Sequence, residues 1–142
     1  RSVLIMTNNR FAVAVHVLSL IELFKERRIT SEFIAGSVNT NPVVIRRIMG
    51  ALSKAGIIRT SPGVPGASLA RSAEDITLLD IYKAISTDKL FALHEKPNPS
   101  CPVGRNIQSS LESAFGEAQS ALEQRLAGIT LEDIASDIKA KL

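Results

Sequence analysis

Apolar positions recur at spacings of three and four along most of this chain. Between Asn9 and Phe24 two stripes run together, Val13, Val17, Leu20 and Phe24 beside Phe11, Ala14, Leu18 and Ile21. A helix apolar on nearly all sides is buried on more than one face, and its second face meets another helix or another subunit. Lys25 to Arg28 follow, with positive charge at the negative pole of the helix dipole. His16 lies within the apolar stretch, with no ligand-type residue at metal spacing beside it, and reads as a packed histidine.

A shorter helix is predicted over Ser31 to Val38, capped by Thr30 or Ser31. Asn39-Thr40 reads as a tight turn. Asn41-Pro42 then signals a new start: Asn caps, and Pro occupies the first helical position, where a missing N–H costs nothing. This helix runs to Ala55 and stops at Gly56. Helix, short turn, helix is the helix-turn-helix outline. At about 100° per residue, Val44, Ile45, Ile48, Met49, Leu52 and Ala55 fall on its apolar side. Val43, Arg46, Arg47, Gly50 and Lys54 fall on the other.

The rhythm changes after Gly56. Ile57 to Ser61 reads as a strand, Pro62 to Gly66 as a turn, and Ala67 to Ala70 as a returning strand. A hairpin directly after the second helix makes a winged helix-turn-helix, with Arg59 and Arg71 near the base of the wing. Thr77, with Asp80 three residues on and Ile76 able to staple to Ile81, opens a helix to about Ile85. Residues 86–104 have no clear period. Leu90 to His94 reads as a short strand, and Glu95 to Gly104 as a proline-rich loop containing Cys101. From about Arg105, Ile107, Leu111, Ala114, Ala118, Ala121, Leu122 and Leu126 mark a helix of roughly 20 residues, about 30 Å long. Its stripe suits a partner helix, such as its own copy. Gly128 ends it, and Thr130 with Asp133 caps a last short helix to Leu142. The expected fold is mainly α with a small β wing. A winged helix-turn-helix occupies residues 7–73, and a linker loop and helical dimerisation region occupy residues 74–142.

Charge sharpens this picture. The net charge of +3 conceals ten Lys/Arg against three Asp/Glu in residues 1–73, and seven against eleven in residues 74–142. A basic half followed by an acidic half points to a polyanion bound by the first. The face formed by Arg46, Arg47 and Lys54 carries no carboxylate, the arrangement that contact with phosphates or bases requires. Gly50, costly in mid-helix by about 1 kcal/mol against Ala, fits close approach of another backbone or of DNA, and equally fits drift.

Composition narrows the remaining classes. With 142 residues, 45% hydrophobic, the chain can bury an ordinary core. No apolar run reaches the length of a membrane span, and no signal peptide is evident. Met6 is a candidate start, with residues 1–5 an expression remnant or a short native extension. Cys101 is the one cysteine, which fits a cytoplasmic location and cannot fill a zinc site alone. Aromatic residues make up 4% of the chain, too few for stacking on single-stranded bases. There is no glycine-rich phosphate loop, nucleophile elbow or metal-ligand cluster, so no catalytic residue or metal site is assigned and an enzyme is not expected. Asp75 and Asp80 read as helix-start residues.

Three segments resemble the Rrf-two family of bacterial winged-helix regulators: Arg10 to His16, Asn41 to Arg47, and Ile76 to Tyr82. The resemblance covers nearly the whole chain from about Thr7, and is closest to the YwnA type within the family. It implies a homodimer in which the long helix crosses its twin, the Pro42–Ala55 helix in the major groove, and the wing near the minor groove. Such dimers bind pseudo-palindromes with half-sites about one helical turn apart, or a multiple. Two features depart from the family pattern. Cluster-binding members carry three cysteines before the long helix, whereas Cys101 stands alone, so no iron–sulfur cluster or other cofactor is expected. The wing tip, Pro62 to Gly66, lacks the arginine that wings of cluster-binding relatives present.

The expected function is therefore a sequence-specific regulator of double-stranded DNA, a repressor acting as a homodimer. Its DNA contacts would be Thr40 and Asn41 at the helix start, Val43, Arg46, Arg47 and Lys54 on the exposed face, and Arg59 by the wing. Two alternatives stand beside it. Cys101 could make the protein a thiol-based redox sensor, since cations and a helix start favour a thiolate. The winged helix could instead dock an acidic protein. The operator, and any small-molecule or redox effector, are left open.

Overall fold

The computed structural model describes residues 2–86 and 97–142, with side chains described from residue 9 onward. The expected strand at Leu90 to His94 falls outside the described residues, as does Lys96, one of the cations near Cys101 in sequence. Six α-helices, one hairpin and a 3-10 turn at Ala73–Asp75 are described: α1 (Ser2–Leu23), α2 (Ser31–Val38), α3 (Pro42–Lys54), β1 (Ile58–Ser61), β2 (Val64–Leu69), α4 (Leu78–Ile85), α5 (Pro102–Ala127) and α6 (Leu131–Ala140).

Helix α1 is the central post. Ala14, Val17, Leu18 and Ile21 are sealed from solvent, and Phe11, Val13, Val15 and Leu20 pack partly against the same core. Helices α2, α3, α4 and α6 and strand β2 all lie against it, which explains the apolar residues around its circumference. The backbone of α1 begins earlier than its stripes predict, at Ser2. His16 is exposed rather than packed, and its Nε2 lies 3.0 Å from Ser37 Oγ. It sits at the edge of the buried stripe, where α1 meets the end of α2. Of the basic residues after α1, Lys25 lies 3.4 Å from Glu22 of its last turn. The Arg27 guanidinium lies over both Phe24 and Phe33, 5.3 Å from each ring centre.

Caps set the helix boundaries. The Thr30 hydroxyl accepts from Phe33 N–H and opens α2. Asn39, at φ 64, ends α2 in the left-handed region that Asn tolerates better than most residues. Asn41 Oδ1 accepts from Val43 N–H at 2.8 Å and opens α3, with Pro42 at its start. Thr77 with Asp80, and Thr130 with Asp133, form reciprocal capping boxes. Ile76 and Ile81 are both fully buried, as a staple requires.

The wing is a two-stranded antiparallel hairpin in which Ile58 faces Leu69, Arg59 faces Ser68 and Ser61 faces Val64. Its turn is tighter than expected: Pro62-Gly63 alone reverse the chain, with Gly63 at φ 75, and β2 already begins at Val64. The wing is anchored on its outer side. Ala67 N–H donates to the Ile29 carbonyl, and Arg28 donates from Nε to the Pro65 carbonyl and from Nη2 to the Gly66 carbonyl. Gly66 sits at φ 89, and an added Cβ would come within 2.8 Å of Arg28 Cβ.

Helix α5 starts at Pro102, three residues before the expected position, and its 26 residues span about 39 Å. No residue on it is fully buried. Ile107, Leu111, Phe115, Leu122 and Leu126 are half-covered, and α5 packs on α4. Helix α6 then returns to the body. Leu78 N–H donates to the Ile129 carbonyl and Leu131 N–H to the Ile76 carbonyl, each at 2.8 Å. Leu131 completes the aliphatic core that begins on α1. No helix among the described residues is long and apolar enough to cross a membrane.

Candidate nucleic-acid interface

Helix α3 is amphipathic and lies with Ile45, Ile48 and Leu52 in the core. Its exposed arc is wider than the helical wheel predicts. Val44 is 39% exposed and Ala55 is exposed, although both were expected on the apolar side. Three residues per two turns are enough to seat this short helix, so the flanks of the stripe stay in solvent. Val43, Arg46, Arg47, Gly50 and Lys54 are all exposed as expected.

The cations on this arc stand in two settings. Arg46 and Lys54 line a cleft of about 530 Å³ between α3 and the wing, together with Ser31, Met49, Gly50, Ser53, Thr60 and Val64. Arg47 lies on the opposite flank, in a second cavity with Thr40 and residues of α1. Arg59 is exposed on β1 opposite Ser68. Arg71 is also exposed, donating to the Asp75 carbonyl and lying 3.7 Å from Asp80. Thr40 is half-buried, and Asn41 is exposed with its oxygen committed to the cap.

Sequence reasoning missed two residues here. One is Glu32, which α2 brings to within 3.2 Å of Arg46. The basic face therefore has a carboxylate at its edge, supplied by a neighbouring helix and invisible on the wheel of α3 alone. A backbone N–H at the start of α2, and then Arg46, hold Glu32 below the usual carboxylate range. The pair is exposed on both sides, so solvent screens it and Arg46 remains available to another anion. The other is Arg28, which fixes the wing by two backbone carbonyls. Its neighbours are 37 and 38 residues away in sequence, beyond the reach of local spacing.

Cys101 is exposed at the start of α5 and makes no side-chain capping bond there. The Gly104 position leaves no room for a Cβ beside the Asn98 carbonyl, which closes the loop against the helix start. No group of three or more His, Cys, Asp or Glu that could hold a metal ion occurs among the described residues. The chain's single cysteine does not fit an iron–sulfur cluster, which takes four ligands.

The family model described as Rrf2, iron-dependent transcriptional regulator, matches residues 7–137. The chain is 48% identical over 134 residues to the candidate HTH-type transcriptional regulator YwnA of Bacillus subtilis, covering 94% of this chain and 99% of that one. It is 46% identical, with a TM-score of 0.73, to the crystal structure of a candidate DNA-binding protein, covering 88% of this chain and 97% of that one. It shares its fold, at 19% identity and a TM-score of 0.67, with the global cysteine regulator CymR of B. subtilis, over 89% and 93% of the two chains. A winged helix-turn-helix with a long α5, matched along almost its full length, places this chain in the Rrf2 family of transcriptional regulators.

Proposed function

We propose that the protein is a sequence-specific regulator of double-stranded DNA that acts as a homodimer on a pseudo-palindromic operator and represses transcription in the cytoplasm. The observation that carries this reading is the exposed arc of α3, with Val43, Arg46, Arg47 and Lys54 in solvent and Arg46 and Lys54 facing the wing. Residues 7–73 would hold the DNA and residues 74–142 the partner copy. Arg46 or Arg47 pairs with guanine in the major groove, worth about 1–3 kcal/mol of discrimination. Val43 meets a thymine methyl. Lys54, Thr40, Asn41 and Arg59 reach the phosphate backbone, which fixes register without reading sequence. The half-covered apolar stripe of α5 supports the dimer. The reading is of a binding protein and assigns no catalytic residue.

Selection from a random duplex pool at physiological salt tests it. The expected outcome is an enriched palindrome. Binding without an enriched motif would favour the winged helix as a module for an acidic protein. Arg47→Ala is expected to weaken operator binding at least tenfold while the dimer persists in sedimentation. Unchanged affinity would remove Arg47 from the interface.

Cys101 supports a second reading, since its thiol is exposed and unbonded at the start of α5. Peroxide or a disulfide donor should then alter operator binding by the wild type and leave Cys101→Ser unaffected. An equal response from both proteins would exclude the thiol as sensor.

A further inference from the structure

A cavity of about 660 Å³ lies where α1 meets the turn between α2 and α3. Its polar side chains are Asn9, Arg10 and His16 from α1, Asn39 and Thr40 from the turn, and Arg47 from α3. Among the described residues no Asp or Glu lines it. Two guanidinium groups sharing one hollow without a carboxylate repel one another until an anion enters. Among the described residues neither Arg10 nor Arg47 has an ion-pair partner, in contrast to Arg46, which has Glu32. The His16 ring is tethered to Ser37 at 3.0 Å, which holds it at the α2 side of the hollow. Val13, Val38 and Ile48 form its apolar wall.

We propose that this hollow is a phosphoryl-anion site in which Arg10 and Arg47 clamp one phosphate, with His16 and Thr40 as hydrogen-bonding partners. Guanidinium forks match two phosphate oxygens at a time. The hollow opens beside the first turn of α3, so a DNA strand passing α3 is the source of that phosphate. This assignment rests on the DNA-binding reading above and extends the interface to α1. Arg47 then acts at the edge of the groove, which leaves Arg46 as the side chain placed to read a base. A free phosphorylated ligand offers the same chemistry, and the test separates the two sources.

Two measurements decide it, on the full chain. In the first, operator binding by wild type and Arg10→Gln is followed across salt concentration. Arg10 is exposed on a helix and Gln is a good helix former, so equal melting temperatures should show that the fold is kept. Each protomer loses one phosphate contact, two per dimer, which lowers the salt slope by about 1.8, so the wild-type advantage should shrink about 12-fold between 50 and 200 mM salt. The loss should be the same for every operator variant, because phosphate carries no sequence information. In the second, inorganic phosphate is titrated into the DNA-free protein and the side-chain resonances of Arg10, Arg47 and His16 are followed.

A lowered slope supports the DNA-phosphate site. An unchanged slope overturns DNA as the source. Saturable phosphate shifts at Arg10 and Arg47 would then keep the anion site and assign it to a free phosphorylated ligand. An unchanged slope with no saturable shifts overturns the site altogether. If the wild type binds no duplex, the regulator reading fails, and the phosphate titration still decides whether the site exists.

Discussion

Gly50 stands in the middle of α3 with nothing within 4 Å of the place a Cβ would take. No protein backbone approaches it, so packing within the chain does not require a glycine. An exposed mid-helix Gly→Ala change should raise stability by about 0.5–1 kcal/mol. The position lines the cleft between α3 and the wing, where DNA would come closest. Gly50→Ala is therefore expected to raise the melting temperature by a few degrees and to weaken operator binding. Tighter or unchanged binding would show that DNA does not approach this part of the helix. The sequence made Gly50 conspicuous but offered a backbone neighbour, DNA or drift, and the empty space around it removes a neighbour from its own chain. Arg46 and Arg47 also look alike on the wheel. Only tertiary structure separates them, one beside Glu32 and the other facing α1.

At the scale of elements, the capped helices were legible because caps are local chemistry. Thr77, Asp80, Thr130 and Asp133 occupy the roles their spacing implies. The wing was legible as a hairpin but not in its register, which depends on contacts distant in sequence. Its outer strand is held by Arg28 and Ile29, and Gly66 lies pressed against them. Gly66→Ala combines a left-handed backbone with a clash against Arg28, so it should cost more than about 1 kcal/mol. Chemical denaturation measures the loss, and hydrogen exchange should place it in β1 and β2. Faster exchange throughout the core would instead mean that the wing is not a separable element. The wider exposed arc of α3 has a related cause: periodicity marks which residues can be buried, while the number of neighbouring elements decides how many are.

Across the whole molecule, α5 is the element with the least to cover it. It carries a stripe of Ile107, Leu111, Phe115, Leu122 and Leu126, all half-exposed along about 29 Å. The spacing made the helix and its stripe readable, and Pro102 at its first turn explains the early start. The return of α6 into the core was not readable, because a capped amphipathic helix does not name its partner. If α5 pairs with its copy, Leu111→Asp with Leu122→Asp should yield a monomer in sedimentation. The wild-type melting temperature should also rise with protein concentration, as mass action requires. A wild type that sediments as a monomer at high concentration would rule out the α5 pairing.

Tyr82 joins three of these elements. Its ring meets Phe11 of α1 edge-on at 5.7 Å, and its hydroxyl accepts from Gln119 Nε2 of α5 at 3.2 Å. The chain has no Trp and no other Tyr. Its tyrosine emission therefore comes from one ring, placed on α4 between the central post and α5. Any ligand that shifts α5 against α1 alters the surroundings of that ring. The native protein thus carries its own optical probe, and effector screening can proceed without a label.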